Sequence, residues 1–289
     1  MNVKKAILPV AGFGTRLLPA SKSIPKEMIT VVDRPAIEYV VQEAIEAGID
    51  TIILVTHPAK QAIENYFDRN AELENLLEKK NKSQLLAEIR NIIPAHVTVV
   101  TVRQPEPLGL GHAVLCAEKV IGDEPFAVLL PDVLVDSKDQ NNLAQMIEQF
   151  EQNQASQIMV EAVAPERVDQ YGIVRLQDVD GQQNHNILEL VEKPAIDEAP
   201  SNLAVVGRYV FTPEIFNYLQ TTQADKSGEI QLTDAMAQLL KEQPIQAFTL
   251  QGETFDCGSK IGYLKAILHY ALQRDELKGQ LLEFLAQVK

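Results

Sequence analysis

Two glycines and two basic residues near the N-terminus have the types and spacing to hold a polyphosphate. The segment from Ala11 to Arg16 reads AGFGTR, follows a short apolar run, and is followed by Lys26 ten residues later. Glycines such as Gly12 and Gly14 let the backbone approach a ligand closely where a strand ends. Because Arg16 and Lys26 place positive charge beside this loop, we expect it to hold the phosphates of a nucleoside triphosphate.

This glycine loop differs from two better-known nucleotide-binding loops. A P-loop needs G-x-x-x-x-G-K-[ST], and no glycine stands at that spacing before Lys22 or Lys26. A dinucleotide-binding turn needs a third glycine where Leu17 stands, although Asp33 lies about where a ribose-binding acid would be expected. A lone G-x-G also fits an ordinary strand-to-helix turn. The longer string GxGTRxxPxxKxxPKE, from Gly12 to Glu27, is far more specific.

That longer string resembles the signature of the sugar-1-phosphate nucleotidyltransferases. The resemblance extends over residues 5–272 and is closer to the uridylyltransferase branch than to the thymidylyl- or cytidylyltransferases. Ser21 stands where the family signature usually has Thr, and both residues carry a hydroxyl. Further segments match in order at 55–57, 103–104, 109–113, 130–132, 191–194, 206–209, 229–234 and 256–258.

The resemblance implies both a fold and a reaction. The fold is α/β, with a Rossmann-like, mixed but mostly parallel central sheet flanked by helices. The reaction transfers UMP from UTP to glucose 1-phosphate and releases pyrophosphate. A phosphate monoester is already an anion near neutral pH, since its second pKa is about 6, so it can attack the α-phosphorus in line without a general base. The protein then has to position two polyanions and absorb charge in the transition state.

Three cations are assigned to this phosphate chemistry. The Arg16 guanidinium offers forked donors for the β- and γ-phosphates and for the leaving pyrophosphate. Lys26 is assigned to the α-phosphate, where charge develops. The resemblance implies that Lys193 neutralises the sugar phosphate. Each of the three could instead be an ordinary solvated surface charge.

Two aspartates are expected to hold Mg²⁺, the expected cofactor. Asp132 follows an apolar run and a proline, where an acid could ligate a cation that typically takes one or two carboxylates plus phosphate oxygens. An aspartate there also fits a helix cap or a turn. The resemblance implies Asp256 as the second ligand. His57 and His112 are expected to make structural hydrogen bonds.

Recognition of the base and of the sugar is assigned to a further set of residues. The planar amide of Gln104 can accept from uracil N3–H and donate to O4, and Glu27 either contacts the base or fixes Lys26. A carboxylate such as Glu192 can accept from two adjacent sugar hydroxyls, although the Glu192–Lys193 pair also fits an exposed strand end. The full substrate-binding set expected from the resemblance is Ala11, Gly12, Gly14, Thr15, Glu27, Gln104, Gly109, Gly172, Glu192 and Gly207.

Composition limits the class of protein. The 289 residues are 46% hydrophobic and carry a net charge of −14, which argues against a nucleic-acid or anionic-membrane surface. Two cysteines without a C-x-x-C pair make no disulfide framework, so we expect a reduced, cytoplasmic setting. No apolar stretch approaches the ~20 residues of a membrane span. We expect a homodimer or homotetramer, since the last two helices carry apolar positions.

The elements predicted in the first half would bring three loops together. A short apolar run predicts a first strand at 6–10, and apolar, β-branched runs predict strands covered on both faces at 51–56, 97–102 and 126–130, with helical patterns between them. One of these is a long polar helix over 71–90. Such alternation implies parallel strands, whose ligands gather at their carboxyl ends. Gly12, Gln104 and Asp132 each follow such an end, so we expect them to meet at one site.

The second half has a mixed pattern. We predict strands at 157–162 and 203–211, and a hairpin of 173–176 with 187–191 around a turn at 178–181. Helices are predicted near 112–120, 213–219, 232–241, 261–272 and 275–288. We interpret the chain as one catalytic domain, with a nucleotide-binding half (1–135), a sugar-binding half (136–258) and C-terminal helices (259–289).

A regulatory role is the alternative from a different functional class. Some relatives are poorly active paralogues proposed to act by binding the active enzyme, and in these the Thr-Arg of the glycine loop is replaced. Thr15 and Arg16 are present here, as are Glu192 and Lys193. The retained phosphate-binding charges therefore favour an active enzyme.

Overall fold

Strands and helices alternate along most of the chain. The computed structural model describes residues 2–177 and 185–288. The strands are β1 (Lys5–Pro9), β2 (Thr30–Val31), β3 (Arg34–Pro35), β4 (Thr51–Thr56), β5 (Thr98–Arg103), β6 (Phe126–Leu129), β7 (Val133–Ser137), β8 (Ser156–Ala162), β9 (Gly172–Leu176), β10 (Ile187–Glu192), β11 (Leu203–Phe211), β12 (Ile245–Thr249) and β13 (Gly252–Asp256). The helices are α1 (Ala36–Glu46), α2 (Gln61–Phe67), α3 (Ala71–Lys79), α4 (Ser83–Arg90), α5 (Leu110–Cys116), α6 (Glu118–Ile121), α7 (Asn142–Asn153), α8 (Ile215–Leu219), α9 (Leu232–Leu239), α10 (Lys260–Leu272) and α11 (Asp275–Gln287).

Most of these strands share one mixed sheet. Among the described residues it has nine strands, in the order β10–β9–β11–β6–β1–β4–β5, with β8 beside β11 and β12 beside β8. Strands β5, β4, β1 and β6 are parallel, whereas β11 runs antiparallel to β6, β8 and β9. Apolar clusters cover both faces of this sheet. The described residues contain no helix long and apolar enough to cross a membrane.

The parallel half confirms the predicted alternation, with one correction. Strand β6 is buried along its whole length and β4 at all but its first residue, as expected for strands covered on both faces. Strand β5 was expected to be equally buried, and that prediction is wrong. None of its residues is buried, because it lies at the end of the strand order and not inside the sheet.

The long polar helix predicted over 71–90 is two helices, α3 and α4. Asn81 adopts a left-handed conformation with φ of 54°, which ends α3. The N–H of Lys82 returns to the carbonyl of Leu77 at 2.9 Å, the usual hydrogen bond of a helix that stops at such a residue. Likewise, the helix predicted near 112–120 is divided between α5 and α6.

Several other elements were either confirmed or not predicted. The two strands of the predicted hairpin, β9 and β10, pair antiparallel, and its predicted turn at 178–181 lies outside the described residues. Strands β7, β12 and β13 and helix α7 had not been predicted. β7 and β13 form a small antiparallel sheet in which Asp256 lies opposite Val133. This pairing places Asp256 next to Asp132, the residue before β7.

Candidate active site

The glycine loop leaves β1 and closes over the stem of Lys26. Gly14 has φ of 66°, a conformation that favours glycine, and a Cβ there would lie 3.0 Å from the Cβ of Lys26. The Ser21 hydroxyl donates to the carbonyl of Gly14 at 2.8 Å. At Gly12 a Cβ would meet nothing within 4 Å, which shows that this part of the loop faces open space. The loop therefore fixes Lys26 while leaving its own backbone accessible to a ligand.

Two cations and two carboxylates converge where the sheet ends. Lys26 Nζ donates to Asp132 Oδ2 at 2.5 Å. Arg16 lies 3.4 Å from Asp256 Oδ2 and 3.9 Å from Asp132 Oδ2. A Cβ placed on Gly258 would lie 2.6 Å from Arg16 Nη2, 2.9 Å from Asp132 Oδ2 and 2.9 Å from Asp256 Oδ1. The two carboxylates therefore face one shared point.

Both members of the Lys26–Asp132 pair are charged at neutral pH. Burial alone would lower the pKa of Lys26, but Asp132 and Glu27 outweigh it and the pKa lies above its ordinary value. Burial alone would raise the pKa of Asp132, but Lys26 and Arg16 hold that pKa below its ordinary value. The pair thus keeps full charges in a partly dehydrated place, where electrostatic interactions are strong.

Arg208 supports the loop that carries Asp132. Its side chain is fully buried and forms a bidentate pair with Glu43 of α1, with Nε–Oε1 at 2.9 Å and Nη2–Oε2 at 2.7 Å. It also donates to the carbonyls of Leu130 and Val133, at 3.2 and 2.8 Å. The sequence signal for this role, an arginine inside the apolar run of β11, was present but not interpreted.

A second anchor lies behind Lys26. Glu27 is fully buried, and its Oε2 accepts from Lys60 Nζ at 2.8 Å. Burial raises the pKa of Glu27 above its ordinary value, although Lys60 and Lys26 oppose the effect. Its Oε1 has no hydrogen-bond partner among the residues that the structure describes. Lys60 was missed because a lysine after a strand is ordinary in sequence; here it ties the Lys26 segment to the turn after β4.

Gln104, just beyond β5, is buried and fixed by its own surroundings. Its Nε2 donates to the carbonyl of Gly109 at 3.1 Å and lies 3.2 Å from Nδ1 of His112. The amide nitrogen of Gln104 is therefore held by two groups of the protein, the Gly109 carbonyl and the His112 ring. Gly109 has φ of 96°, and a Cβ there would lie 2.9 Å from the Ile230 carbonyl, so the turn requires glycine.

Most of the predicted residues line two adjoining cavities that share Leu130 and Asp132. The smaller one, of about 330 Å³, contains Arg16, Asp256 and Gly207. Its wall also brings in two cations that had not been predicted, Arg167 and Lys265, which sequence alone did not distinguish from surface charges. The larger cavity, of about 530 Å³, is lined by Ala11, Gly12, Gly14, Thr15, Lys26, Glu27, Gln104, Gly109 and Asp132.

Three predicted sugar-binding residues lie beside these cavities and line neither. Glu192 accepts from the Thr233 hydroxyl at 2.7 Å, and a Cβ on Gly172 would lie 3.3 Å from that carboxylate. Lys193 Nζ lies 3.2 Å from Glu192 Oε1 and is half exposed. The Lys193 N–H donates at 3.0 Å to the carbonyl of Tyr171, which does line the smaller cavity. The Glu192–Lys193 pair is thus one residue removed from the cavity wall.

The donor set at the shared point fits a magnesium ion. In the described parts of the chain no group of three or more His, Cys, Asp or Glu side chains could form a protein-only metal cage. Mg²⁺ does not need one, because it typically binds one or two carboxylates together with substrate phosphates and water. Asp132 and Asp256 are the residues that match this requirement.

Comparison with known proteins agrees with this geometry. Residues 5–273 match the family model described as nucleotidyl transferase. The chain belongs to this family. A curated UTP–glucose-1-phosphate uridylyltransferase of Haemophilus influenzae is 51% identical to this nucleotidyl transferase over 287 residues, 97% of each chain.

Two solved structures show the same fold. The UDP-glucose pyrophosphorylase of Acinetobacter baumannii has a TM-score of 0.91 and 57% identity, covering 99% of this nucleotidyl transferase and 100% of that chain. A UTP-bound structure from the same organism has a TM-score of 0.92, with the same identity and coverage. The predicted fold class, and the prediction of a nucleotidyltransferase enzyme in the uridylyltransferase branch, are confirmed.

Proposed function

We propose that this nucleotidyl transferase transfers UMP from UTP to glucose 1-phosphate, giving UDP-glucose and pyrophosphate. The observation that carries the proposal is the convergence of Lys26, Arg16, Asp132 and Asp256 where two cavities adjoin. Two polyanions entering from opposite sides would meet at these charges. The names of the similar proteins supply the identity of the two substrates.

The reaction requires positioning and charge, with no covalent enzyme intermediate. UTP is proposed to occupy the larger cavity, with its uracil toward Gln104 and its α-phosphate beside Lys26. A phosphate oxygen of glucose 1-phosphate attacks the α-phosphorus, the bond from the α-phosphorus to the bridging oxygen breaks in line, and pyrophosphate leaves beside Arg16. No proton needs to move, because the nucleophile is already an anion. Lys26 stabilises the charge that develops at the α-phosphate.

We propose that Asp132 and Asp256 hold Mg²⁺ during this reaction. The bound ion supplies positive charge that neutralises phosphate oxygens and orients them. Asp132 and Asp256 would then pair with the ion, and Lys26 and Arg16 would pair with phosphate oxygens in place of these carboxylates. Arg16 is placed for this exchange, because its distances to Asp256 and Asp132 are 3.4 and 3.9 Å, longer than a strong ion pair.

Glucose 1-phosphate is proposed to enter through the smaller cavity. Gly172, Glu192 and Gly207 would contact the sugar, and Lys193 would neutralise its phosphate. Arg167 and Lys265 line the same cavity and add positive charge on its wall. These two cations would offset the carboxylates nearby and lower the cost of bringing in a dianion.

Subunit association is proposed from the outer face of the last two helices. Leu264 of α10 and Leu282 and Phe284 of α11 are half exposed or more. Exposed apolar side chains grouped on neighbouring helices mark contact surfaces in soluble proteins. Size-exclusion chromatography with light scattering would distinguish a monomer from the proposed homodimer or homotetramer.

The experiment that tests the activity is pyrophosphate release by the purified chain. UTP, dTTP, CTP, ATP and GTP are offered in parallel with glucose 1-phosphate, with Mg²⁺ and with EDTA. Strong release with UTP that EDTA abolishes is expected. Lys26→Met should reduce turnover at least about 100-fold, the loss typical of a removed electrostatic contact in a transition state. Binding of UTP without any release would favour the regulatory alternative instead.

A further inference from the structure

The amide of Gln104 has one orientation open to it. One end of the amide lies 3.1 Å from the carbonyl oxygen of Gly109, and a carbonyl oxygen can only accept a hydrogen bond. The nitrogen of the amide must therefore face Gly109, because the reverse orientation would bring two acceptors together. The choice between nitrogen and oxygen is thus fixed by chemistry, although the two atoms have nearly the same shape.

The same nitrogen determines the state of His112. Its Nε2 lies 3.2 Å from Nδ1 of His112 on the first turn of α5, so Nδ1 must accept and the imidazole proton must be on the other ring nitrogen. That other nitrogen lies 3.7 Å from the sulfur of Cys116, one turn further along α5. Burial raises the pKa of the Cys116 thiol, which stays neutral and can act as a weak acceptor. In the series of contacts from Gly109 through Gln104 and His112 to Cys116, every donor therefore faces an acceptor.

The backbone around this chain of hydrogen bonds is fixed as well. The N–H of Gly111 donates to the carbonyl of Ile230 at 2.9 Å, and the N–H of Ile230 donates to the carbonyl of Leu108 at 2.7 Å. A Cβ on Gly111 would lie 2.8 Å from the Ile230 carbonyl, so the helix start is in direct backbone contact with this segment. His112 and the Gly109 carbonyl are therefore held in one rigid unit, as a precise recognition site requires.

We infer that His112 is a positioning residue that sets the base preference of this enzyme through Gln104. With both amide hydrogens engaged, Oε1 is the polar atom of Gln104 left for a ligand in the larger cavity, and it can only accept. An acceptor favours a base with a ring N–H, such as the imide of uracil. It disfavours cytosine, whose corresponding ring nitrogen is itself an acceptor. This inference rests on the proposed function, because it takes UTP as the nucleotide.

The kinetic test compares UTP with CTP in the wild type and in three variants. His112→Phe keeps a ring but removes the acceptor, so the second N–H of Gln104 loses its partner and becomes available to a base, while the first still donates to the Gly109 carbonyl. The ratio of kcat/KM for UTP over CTP should fall at least about tenfold, since one hydrogen bond is gained or lost at the base. His112→Asn, whose side-chain oxygen can accept from Gln104, should restore most of the ratio. His57→Phe is the matched control, because His57 accepts from the N–H of Ala59 and has no contact with Gln104 among the hydrogen bonds of the described residues.

The possible results separate this inference from the function on which it rests. An active His112→Phe enzyme with the wild-type ratio would overturn the inference and leave the proposed function standing. A wild-type enzyme that releases no pyrophosphate from UTP would overturn both. A second measurement needs no variant: long-range ¹H–¹⁵N correlation spectra of the wild type should show His112 neutral, with its proton on Nε2. A proton on Nδ1 would overturn the inference even if His112→Phe does not fold.

Discussion

Replacing Arg208 by methionine should destabilise this enzyme by about 3–5 kcal/mol, because it leaves the carboxylate of Glu43 buried without its partner. The Arg208 side chain is 0% exposed and that of Glu43 is 9% exposed, so little water can reach the carboxylate once the guanidinium is gone. Methionine is a long, flexible side chain that fills much of the same space. Most of the loss should therefore come from the unpaired charge, and little from an empty cavity.

The backbone contacts of Arg208 contribute a smaller share. Arg208 also donates to the Gly207 carbonyl at 3.1 Å. The Gly207 and Leu130 carbonyls both have other donors: the Leu130 N–H at 2.9 Å and the Val133 N–H at 3.3 Å, respectively. These groups stay paired in the variant. Removing both charges together, in Arg208→Met with Glu43→Leu, should therefore bring stability back to within about 2 kcal/mol of the wild type.

The assay is urea unfolding followed by circular dichroism, with the free energy of unfolding extrapolated linearly to water. The single and double variants are measured beside the wild type, and UMP transfer is measured before urea is added. We expect the single variant to lose activity as well, because the loop that carries Asp132 loses its support. A single variant whose free energy of unfolding is within about 1 kcal/mol of the wild-type value would refute the reasoning, since an unpaired buried charge should destabilise the fold by more than that. A double variant as unstable as the single one would refute the assignment of the loss to charge.

Three further predictions follow from other contacts. Lys60→Met should lower kcat more than it raises KM for UTP, because Glu27 loses its partner and the Lys26 segment loosens; steady-state kinetics checks this. Hydrogen bonds from Arg69 and Arg90 hold the pKa of Glu74 at about 2, below its ordinary 4.5. That contact should therefore stabilise α3 and α4 above pH 4.5 and be lost as the pH falls toward 2, which hydrogen exchange of residues 71–90 would show. Burial raises the pKa of the Cys257 thiol to about 12, so iodoacetamide at pH 8 should leave it unmodified in the folded protein, as mass spectrometry can establish.

Each of these predictions has its own control. Lys60→Arg keeps the charge and should retain more activity than Lys60→Met, and equal kinetics for both would contradict the anchoring role. Glu74→Gln removes the titrating group, so its exchange should depend less on pH between 4.5 and 2 than that of the wild type. Cys257 should react readily in urea, and labelling at the same rate in the folded protein would show that burial does not protect it.

The parallel half of the sheet could be predicted from sequence because its strands are short apolar runs bounded by turns. The same runs could not distinguish β5 from β4, since an apolar, β-branched segment does not show whether another strand covers its far side. The division between α3 and α4 had a readable signal in Asn81, a residue type that often ends helices in the left-handed conformation. The continuous polar pattern on both sides of Asn81 nevertheless favours a single helix, which is why the break was not predicted.

The residues that line the site were easier to predict from sequence than the residues that hold them in place. Gly12, Gln104 and Asp132 follow strand ends, so the topology of parallel strands was sufficient to bring them together. Arg208 and Glu43 are 165 positions apart in the chain, and no local sequence pattern predicts a contact between them. His112 was predicted to make structural hydrogen bonds, and its partner Gln104 lines the cavity in which we propose that the base binds. Which polar groups pair depends on the packed fold, and sequence spacing does not reveal it.

Strand β11 belongs to both halves of the molecule at once. Its last residues, 208–211, pair with β6 of the parallel half, and its first residues, 203–205, pair with β8 on one side and in part with β9 on the other. The register shifts between Val205 and Tyr209, around Gly207. One hydrogen-bonded sheet therefore extends behind both cavities, and its two sides cannot swing apart as separate bodies without breaking its hydrogen bonds. Substrates that occupy the two cavities would therefore be held at one fixed separation, set by a strand that both cavities share.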